Sequence, residues 1–494
     1  MGAVGSVQLD GVFPGAARYR ELGTVPWPGG VRERGADWET FPYRERHLQC
    51  VWADESIRPA RLVSAAGEEV TVCSPGEWNL EAGPDFLGAV LVVGSGRRHI
   101  TGDVEVHVRP GDWTSHEHGA DPRYSGVVAH VTYIPGRLPD GALPAGTLEI
   151  PLRDALRSDP SFGFGDIDIT SYPYAALPAT PRPCESALAQ RSQDFREELL
   201  DSAGEERLRL KTGRMVESIR ERGEDQAFYE ETMCALGYKH NRGAFRRLAR
   251  ALPFDVLREE AEGNKEHGYS LLLGVAGLLP SSPSASWPEE TRRFVRRLWD
   301  CWWRQESRWE SQRLPADAWR LAGVRPQNHP RRRLAAAAAL FAGGKAPVER
   351  LAELDVGSPG TWFERAGEMF TDAGRSGFWG RHLGLSSGRT ESDVAVVGKR
   401  RAAAILSNVV IPFLAAAGVP VEPLLRRLPP EQDNSVLRRT AFALFGHDHN
   451  TAMYESGLRQ QGLLQVFHDF CLPDRSGCAD CALVRALDDT RERS

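Results

Sequence analysis

The stretch GPDFLGAVLVVGSGRRHITGDVEVH, residues 83 to 107, holds two β-branched runs on either side of Gly-Ser-Gly, the pattern of neighbouring strands joined by a turn. Along the second run, two-residue alternation puts Asp103, Glu105 and His107 on one face and Val104, Val106 and Val108 on the other. Three ionisable groups on one strand face, backed by core, repel one another and lose hydration unless a cation compensates, and a divalent metal does so. The competing reading is the solvated outer face of an antiparallel sheet.

Further short β-branched runs at 69–73 and 127–134 extend sheet character over about residues 58 to 135. Residues 136–190 are rich in Pro, Gly, Ser and Tyr and read as a connector. From 192 onward charges alternate with apolar positions at helical spacing, over 195–222, 244–262, 289–309 and 331–342, with no fixed repeat period, so a helical bundle is expected. Trp302, Trp303 and Trp309 are read as core packing of that bundle, with base stacking as the alternative.

A chain of 494 residues holds roughly two to four domains. With 41% hydrophobic and 26% charged residues it falls outside the disordered and collagenous classes. A net charge of -6 argues against a globally basic nucleic-acid coat but leaves local basic patches open. Eight cysteines, with three of them near the C-terminus, suggest ligating thiols in a reducing compartment, and the start lacks the pattern of a secretory signal, so a cytoplasmic location is expected. Met1-Gly2 with Ser6 matches the short myristoylation pattern, which also occurs by chance. Residues 402–421 are nearly all apolar, but Asn408, Pro412 and Pro420 suit a buried helix ending near Gly418 better than a membrane span.

Pro84-Asp85 at the head of one strand and Glu105-x-His107 in the next resemble the PD-(D/E)XK nuclease superfamily. The order of elements agrees: a helix with Glu45 and Gln49, strands, the Asp strand, the Glu strand, a short helical stretch and Val127 to Ile134. The resemblance implies Asp85 and Glu105 as magnesium or manganese ligands, with Asp103 beside them, Val106 supplying a carbonyl, Glu45 supporting, and His107 where the superfamily has its lysine. A histidine there can be neutral at pH 7 and act as base or ligand. The following segment, GDWTSHEHGADPRYSGVVAH, carries Asp112, Asp121 and Tyr124 and offers a rival site built from His107, His116, His118 and His130.

At the C-terminus, Cys471-x6-Cys478-x2-Cys481 with His468 three residues ahead suits a Cys3His zinc site. The cysteine spacing also looks like three ligands of an iron–sulfur loop, with Cys50 or Cys184 as a distant fourth. Two basic segments, with Lys239, Arg242, Arg246 and Arg247 in the first and Arg331, Arg332 and Arg333 in the second, are candidates for neutralising phosphates, the alternative being solvated helix faces.

Taken in order, ERHLQCVW, PGEWNLEAGPDFLGA, GDVEVHVRPGDWTSHEH, GYKHNR, RPQNHPRRR and the terminal cysteines resemble a bacterial family, domain-of-unknown-function family 2851, over nearly the whole chain. The expected fold is α+β: an extension (1–36), a nuclease-like mixed sheet with flanking helices (37–135), a connector (136–190), a large all-helical domain (191–450) and a Cys-rich metal-binding segment (451–494). The leading functional expectation is a metal-dependent nuclease acting on DNA or RNA. The rivals are a non-catalytic nucleic-acid-binding or assembly protein and a His-rich metalloenzyme acting on small molecules.

Overall fold

The β-branched runs that open the reading form the centre of a seven-stranded mixed sheet. In chain order the strands are β1 (Leu62–Val63), β2 (Glu69–Ser74), β3 (Glu77–Trp78), β4 (Phe86–Val93), β5 (Arg98–His107), β6 (Val127–Thr132) and β7 (Leu148–Pro151). Their spatial order is β1-β2-β4-β5-β6-β7, with β3 also paired to β4. The pairs up to β4–β5 are antiparallel, whereas β6 lies parallel to β5 and β7 parallel to β6. The computed structural model describes residues 9–22, 41–159, 162–167, 182–471, 478 and 481–492, apart from 42, 44, 56, 80–82, 165, 166, 239, 240, 322, 323, 432–434, 447 and 448.

Alternation along β5 works as the sequence dictates. Val104 and Val106 are fully buried in one core with Leu48, Val51 and Trp52 of the helix Glu45–Ala53, which packs on β5. Ala129 and Val131 of β6 and Ile150 of β7 continue that apolar face. The opposite face carries Glu105 and His107, with His130 registered beside Glu105 across the parallel ladder. The connection from β5 to β6 folds through the helix Asp112–Ser115 and 3-10 turns at His118–Ala120 and Pro122–Tyr124, and buries Trp113 and Tyr124 with Val127.

The chain divides into two units, and neither is a continuous stretch. The sheet-bearing unit comprises Gly23–Ala189, Phe442–Gly446 and Phe467–Ser494, and the helical unit the segments Met1–Leu22, Gln190–Ala441 and His447–Val466. Three expected boundaries are therefore corrected. The connector contributes β7 to the sheet, because Leu148 and Ile150 alternate inward despite the Pro/Gly-rich surroundings. Within the extension, residues 9–22 form short helices packed on the long helix Gln193–Arg222 of the helical unit, with Glu205 accepting the Gly15 N–H at 2.6 Å. The C-terminal segment splits at Val466, its cysteine-bearing part belonging with the sheet.

The helix Gln193–Arg222 starts where Ser192 accepts the Phe195 N–H at 3.2 Å and stops at Gly223, whose φ of 84° ends the right-handed turn. It crosses the helix Gly457–Val466 closely: a Cβ on Gly204 would lie 2.2 Å from the Leu458 carbonyl oxygen, and one on Gly462 would lie 2.0 Å from that of Leu200. Trp302 and Trp309 are core residues as expected, while Trp303 is 72% exposed. The apolar 402–421 stretch is a buried helical run interrupted by a π-turn at Leu406–Val410 and ended before Gly418 at φ 80°. Among the described residues no helix is long and apolar enough to cross a membrane.

Candidate metal centre

Asp85 immediately precedes β4 and is locked to β5 in both directions. Its N–H donates to Glu105 Oε2 at 3.0 Å, and its Oδ2 accepts the Val106 N–H at 3.0 Å. Its Oδ1 accepts from Gln49 Nε2 at 2.8 Å, while Gln49 Oε1 accepts from Arg46, whose guanidinium lies over the Trp78 ring at 3.8 Å. Asp85 and Glu105 are 3% and 0% exposed, so their positions are set by protein groups. Gln49 was not singled out by the sequence reading as a site residue, although a buried polar residue between Leu48 and Cys50 on an apolar helix is a signal. Glu45 opens the same helix one turn earlier, half-buried.

The crossover brings two more imidazoles to His107, one of which, His118, also reaches Glu105. Between His116 and His118 the backbone of Glu117 is left-handed, at φ 58° and ψ 24°, a conformation that costs a non-glycine residue free energy. That reversal turns the two histidines toward His107, and ligand nitrogens of His107, His116 and His118 all lie within 4.8 Å of one another. His118 is held by stacking on the Tyr124 ring, with centroids 3.9 Å apart, and Tyr124 donates to the Gly83 carbonyl at 3.3 Å. The two sites that the sequence presents as rivals thus share Glu105 and His107.

The spacings test whether a metal fits. His107 Nε2 lies 3.2 Å from His116 Nδ1 and 3.4 Å from Glu105 Oε1, and His118 Nε2 lies 3.3 Å from the same oxygen. Ligands at zinc–nitrogen bond lengths in a tetrahedron are separated by about 3.4 Å. His107 thus stands at a coordinating separation from both His116 and Glu105, and His118 from Glu105, while the three imidazoles form the mutually close set, with His116 its exposed member. The donor set is nitrogen-rich, which suits zinc, manganese or iron better than magnesium.

His130 supports the set from behind. Its Nε2 lies 2.9 Å from His107 Nδ1, and burial, aided by the neighbouring His118, pushes its pKa down to about 4, so it is neutral. With the shared proton on His107 Nδ1, His107 Nε2 would keep its lone pair for the cluster.

Other expected site residues are placed elsewhere. Asp103 sits where both neighbouring ladders shift register, and its Oδ1 accepts the Gly88 N–H at the β4 bulge at 3.0 Å. Asp112 accepts the Arg109 N–H at 2.7 Å, and Asp121 pairs with Arg123 through the turn it caps, so both acids close loops. In the helical unit, Arg332 and Arg333 are 0% and 5% exposed. Arg332 donates to the Trp379 carbonyl at 3.0 Å, Arg333 to that of Val396 at 2.8 Å, and Arg331 to that of Leu278 at 2.8 Å. These donors brace a segment with little regular structure, which corrects their assignment to a phosphate-binding surface. Arg246 pairs with Glu231 at 2.7 Å, Arg247 donates to the Ala318 carbonyl at 3.3 Å, and Arg242 begins the helix Arg242–Ala251. Lys239 lies outside the described residues. His468 has its Nδ1 3.6 Å from Asp469 Oδ1, and Cys471 ends the π-turn Phe467–Cys471.

No curated protein and no solved structure matches the chain. The family model described as a protein of unknown function, DUF2851, matches residues 45–422, from the helix that carries Gln49 through the sheet and most of the helical unit, and the chain belongs to that family.

Proposed function

We propose that the protein is a metal-dependent hydrolase of phosphodiester bonds, with DNA or RNA as substrate and Glu105, His107, His116 and His118 as metal ligands. The observation that carries this reading is the convergence of three imidazoles, two of them beside Glu105 at coordinating separations, next to an Asp85 tied to the same strand. The order of elements supports it. A helix, an antiparallel run ending in β4 and β5, a crossover and a parallel β6, with Asp85 heading β4 and Glu105-x-His107 on β5, is similar to the PD-(D/E)XK arrangement.

When bound, a metal of this class lowers the pKa of coordinated water toward 7 and neutralises charge on a phosphate oxygen. The chain's own residues prepare for that. Asp85 fixes Glu105 through its backbone N–H, and Gln49 fixes Asp85, so the carboxylate meets a substrate already oriented. His130 sets the tautomer of His107. His116 is the exposed member of the cluster and marks the side from which substrate approaches.

The full burial of Glu105 and His107 favours a second reading, a small-molecule substrate at the same centre. The test is hydrolysis of labelled single-stranded DNA, duplex DNA, RNA and a small phosphodiester with zinc, manganese, magnesium or chelator. Nucleic-acid cleavage by wild type with metal, lost in Glu105→Ala, is expected. Turnover of the small ester alone would establish the second reading, and no turnover of any substrate by folded, metal-loaded protein would refute both.

A further inference from the structure

Among the described residues Trp303 is the one exposed tryptophan, with 72% of its surface open. Its neighbours in the chain have partners. Trp302 packs so closely on the helix Lys265–Val275 that a Cβ on Gly274 would lie 2.1 Å from its ring, and Trp299 donates to the Pro280 carbonyl at 2.5 Å. Leaving an indole in water forgoes one of the largest apolar burials a side chain offers.

The helix Glu289–Trp302 turns Phe294, Val295, Leu298 and Trp302 to the core. Its solvent face carries Arg293, Arg296, Arg297 and Asp300 at helical spacing and runs into Trp303, whose backbone keeps helical angles, with the exposed Arg304 next. Four arginines and one carboxylate thus line roughly 17 Å of surface at 1.5 Å per residue. Arg293 leans toward Glu289 at 3.7 Å and Arg297 pairs with Glu266 at 2.8 Å, whereas Arg296 and Arg304 pair with no carboxylate among the described residues. Toward the start of the helix, Phe294 stacks on Phe378 with ring centroids 4.1 Å apart, and His382 Nε2 lies 3.7 Å from Glu290 Oε2. Phe378 follows Gly377, which lines a cleft of about 490 Å³ with Arg375, Arg381 and Arg389. The two aspartates of that cleft, Asp372 and Asp393, pair with Arg375 and Arg381, and Arg389 has no ion-pair partner among the described residues.

We propose that this surface, centred on Trp303, Arg296 and Arg304 and reaching the cleft at Arg389, binds single-stranded nucleic acid, with a base stacked on the Trp303 indole and phosphates met by the arginines. Guanidinium forks bind phosphate bidentately, and those without a carboxylate are free to do so. The open indole face suits an unpaired base, whereas the bases of a duplex are already stacked on one another. A protein partner would call for further apolar groups around the indole, but the exposed residues nearest it in the chain, Asp300, Arg304 and Ser307, are polar or charged. For its class of ligand the inference rests on the nucleic-acid reading of the imidazole centre, while binding itself needs no metal.

The test is fluorescence anisotropy with the full chain in chelator, which stops metal-dependent hydrolysis, using labelled oligothymidylate and oligouridylate of about 15 nucleotides and a duplex DNA of the same length. Single strands are expected to bind more tightly than duplex. Trp303→Leu, which keeps an apolar side chain without the ring, should weaken binding about 10-fold, and Trp303→Phe should restore most of it. Arg296→Ala with Arg304→Ala should weaken binding and lower the slope of log Kd against log salt by about 1.4, or about 0.7 for each phosphate contact. Arg426→Ala removes an exposed arginine paired with Glu422 elsewhere in the helical unit and should leave affinity unchanged. The substituted side chains are all exposed, and thermal unfolding checks that each variant folds. No binding to any strand at about 50 mM salt, equal binding by wild type and Trp303→Leu, or a preference for duplex would overturn the proposal. Hydrolysis is scored separately with metal present. Turnover of a small phosphodiester without strand binding refutes this surface alone, and strand binding that follows Trp303 without any turnover refutes the hydrolase reading alone.

Discussion

Two assemblies of polar side chains, each largely buried, behave in opposite ways. Around Glu105 and His107 the ring nitrogens of His107, His116 and His118 and a Glu105 oxygen form successive close pairs at 3.2 to 3.4 Å, an arrangement that needs a cation or shared protons between them. Around Arg331, Arg332 and Arg333 the polar groups point outward from one another, each to a different backbone carbonyl. Burial and polarity are common to both. Convergence separates a candidate site from a scaffold, and a basic motif such as RPQNHPRRR serves the scaffold when its donors replace the hydrogen bonds that an irregular segment lacks.

The largest expected effect lies in the convergent set. Glu105→Ala, or His116→Ala with His118→Ala, should lower metal-dependent hydrolysis by about 10³-fold or more, measured as kcat/KM, since removing ligands removes several kcal/mol of transition-state stabilisation. Arg332→Ala should leave the metal content of the imidazole cluster intact and destabilise the helical unit by about 3 kcal/mol in urea unfolding, combining lost charge-assisted hydrogen bonds with a cavity. If Arg332→Ala abolished activity in well-folded protein, the distinction between site and scaffold would collapse.

His130→Ala sharpens the comparison within the site. It should weaken metal affinity about 10- to 100-fold in a competition titration, because it only orients His107. The smallest effect concerns His329, which accepts the Arg331 N–H at the start of the helix Pro330–Phe341. Burial and the neighbouring Arg331 hold its folded pKa down at about 4, below the ordinary value of about 6.5. Its contribution is therefore fully present above pH 6.5 and fades as pH falls toward 4, where the unfolded chain takes the proton first. His329→Asn, a cap that does not titrate, should reduce the acid-induced loss by about 1 kcal/mol, read from thermal unfolding at pH 7 and pH 5.

Much of the sheet was legible in the sequence. Strict alternation in Asp103 to Val108 and the β-branched runs of β4 and β6 announce themselves because strand period and burial coincide. β7 was hidden in a Pro/Gly-rich segment because a short parallel edge strand needs only Leu148 and Ile150 inward. In the site, Asp85 and Glu105 stood out as one set and the four histidines as a rival one. What the sequence could not show was that they form one group, since this depends on the Glu105–His130 register and on the reversal at Glu117, both set by packing. Asp103 looked equivalent to Glu105 by periodicity and was diverted by the Gly88 bulge.

The interleaving of the two units bears on synthesis. Strands, crossover and imidazoles leave the ribosome early, but Phe442–Gly446 and the part after Phe467, which belong to the same unit, follow only after the long helical segment Gln190–Ala441. At about 5–20 residues per second that interval is on the order of tens of seconds. During it the helix Pro183–Ala189 stands without its partner helix Ala482–Glu492, so the nascent chain should depend on ribosome-associated chaperones more than a protein built from two consecutive domains would.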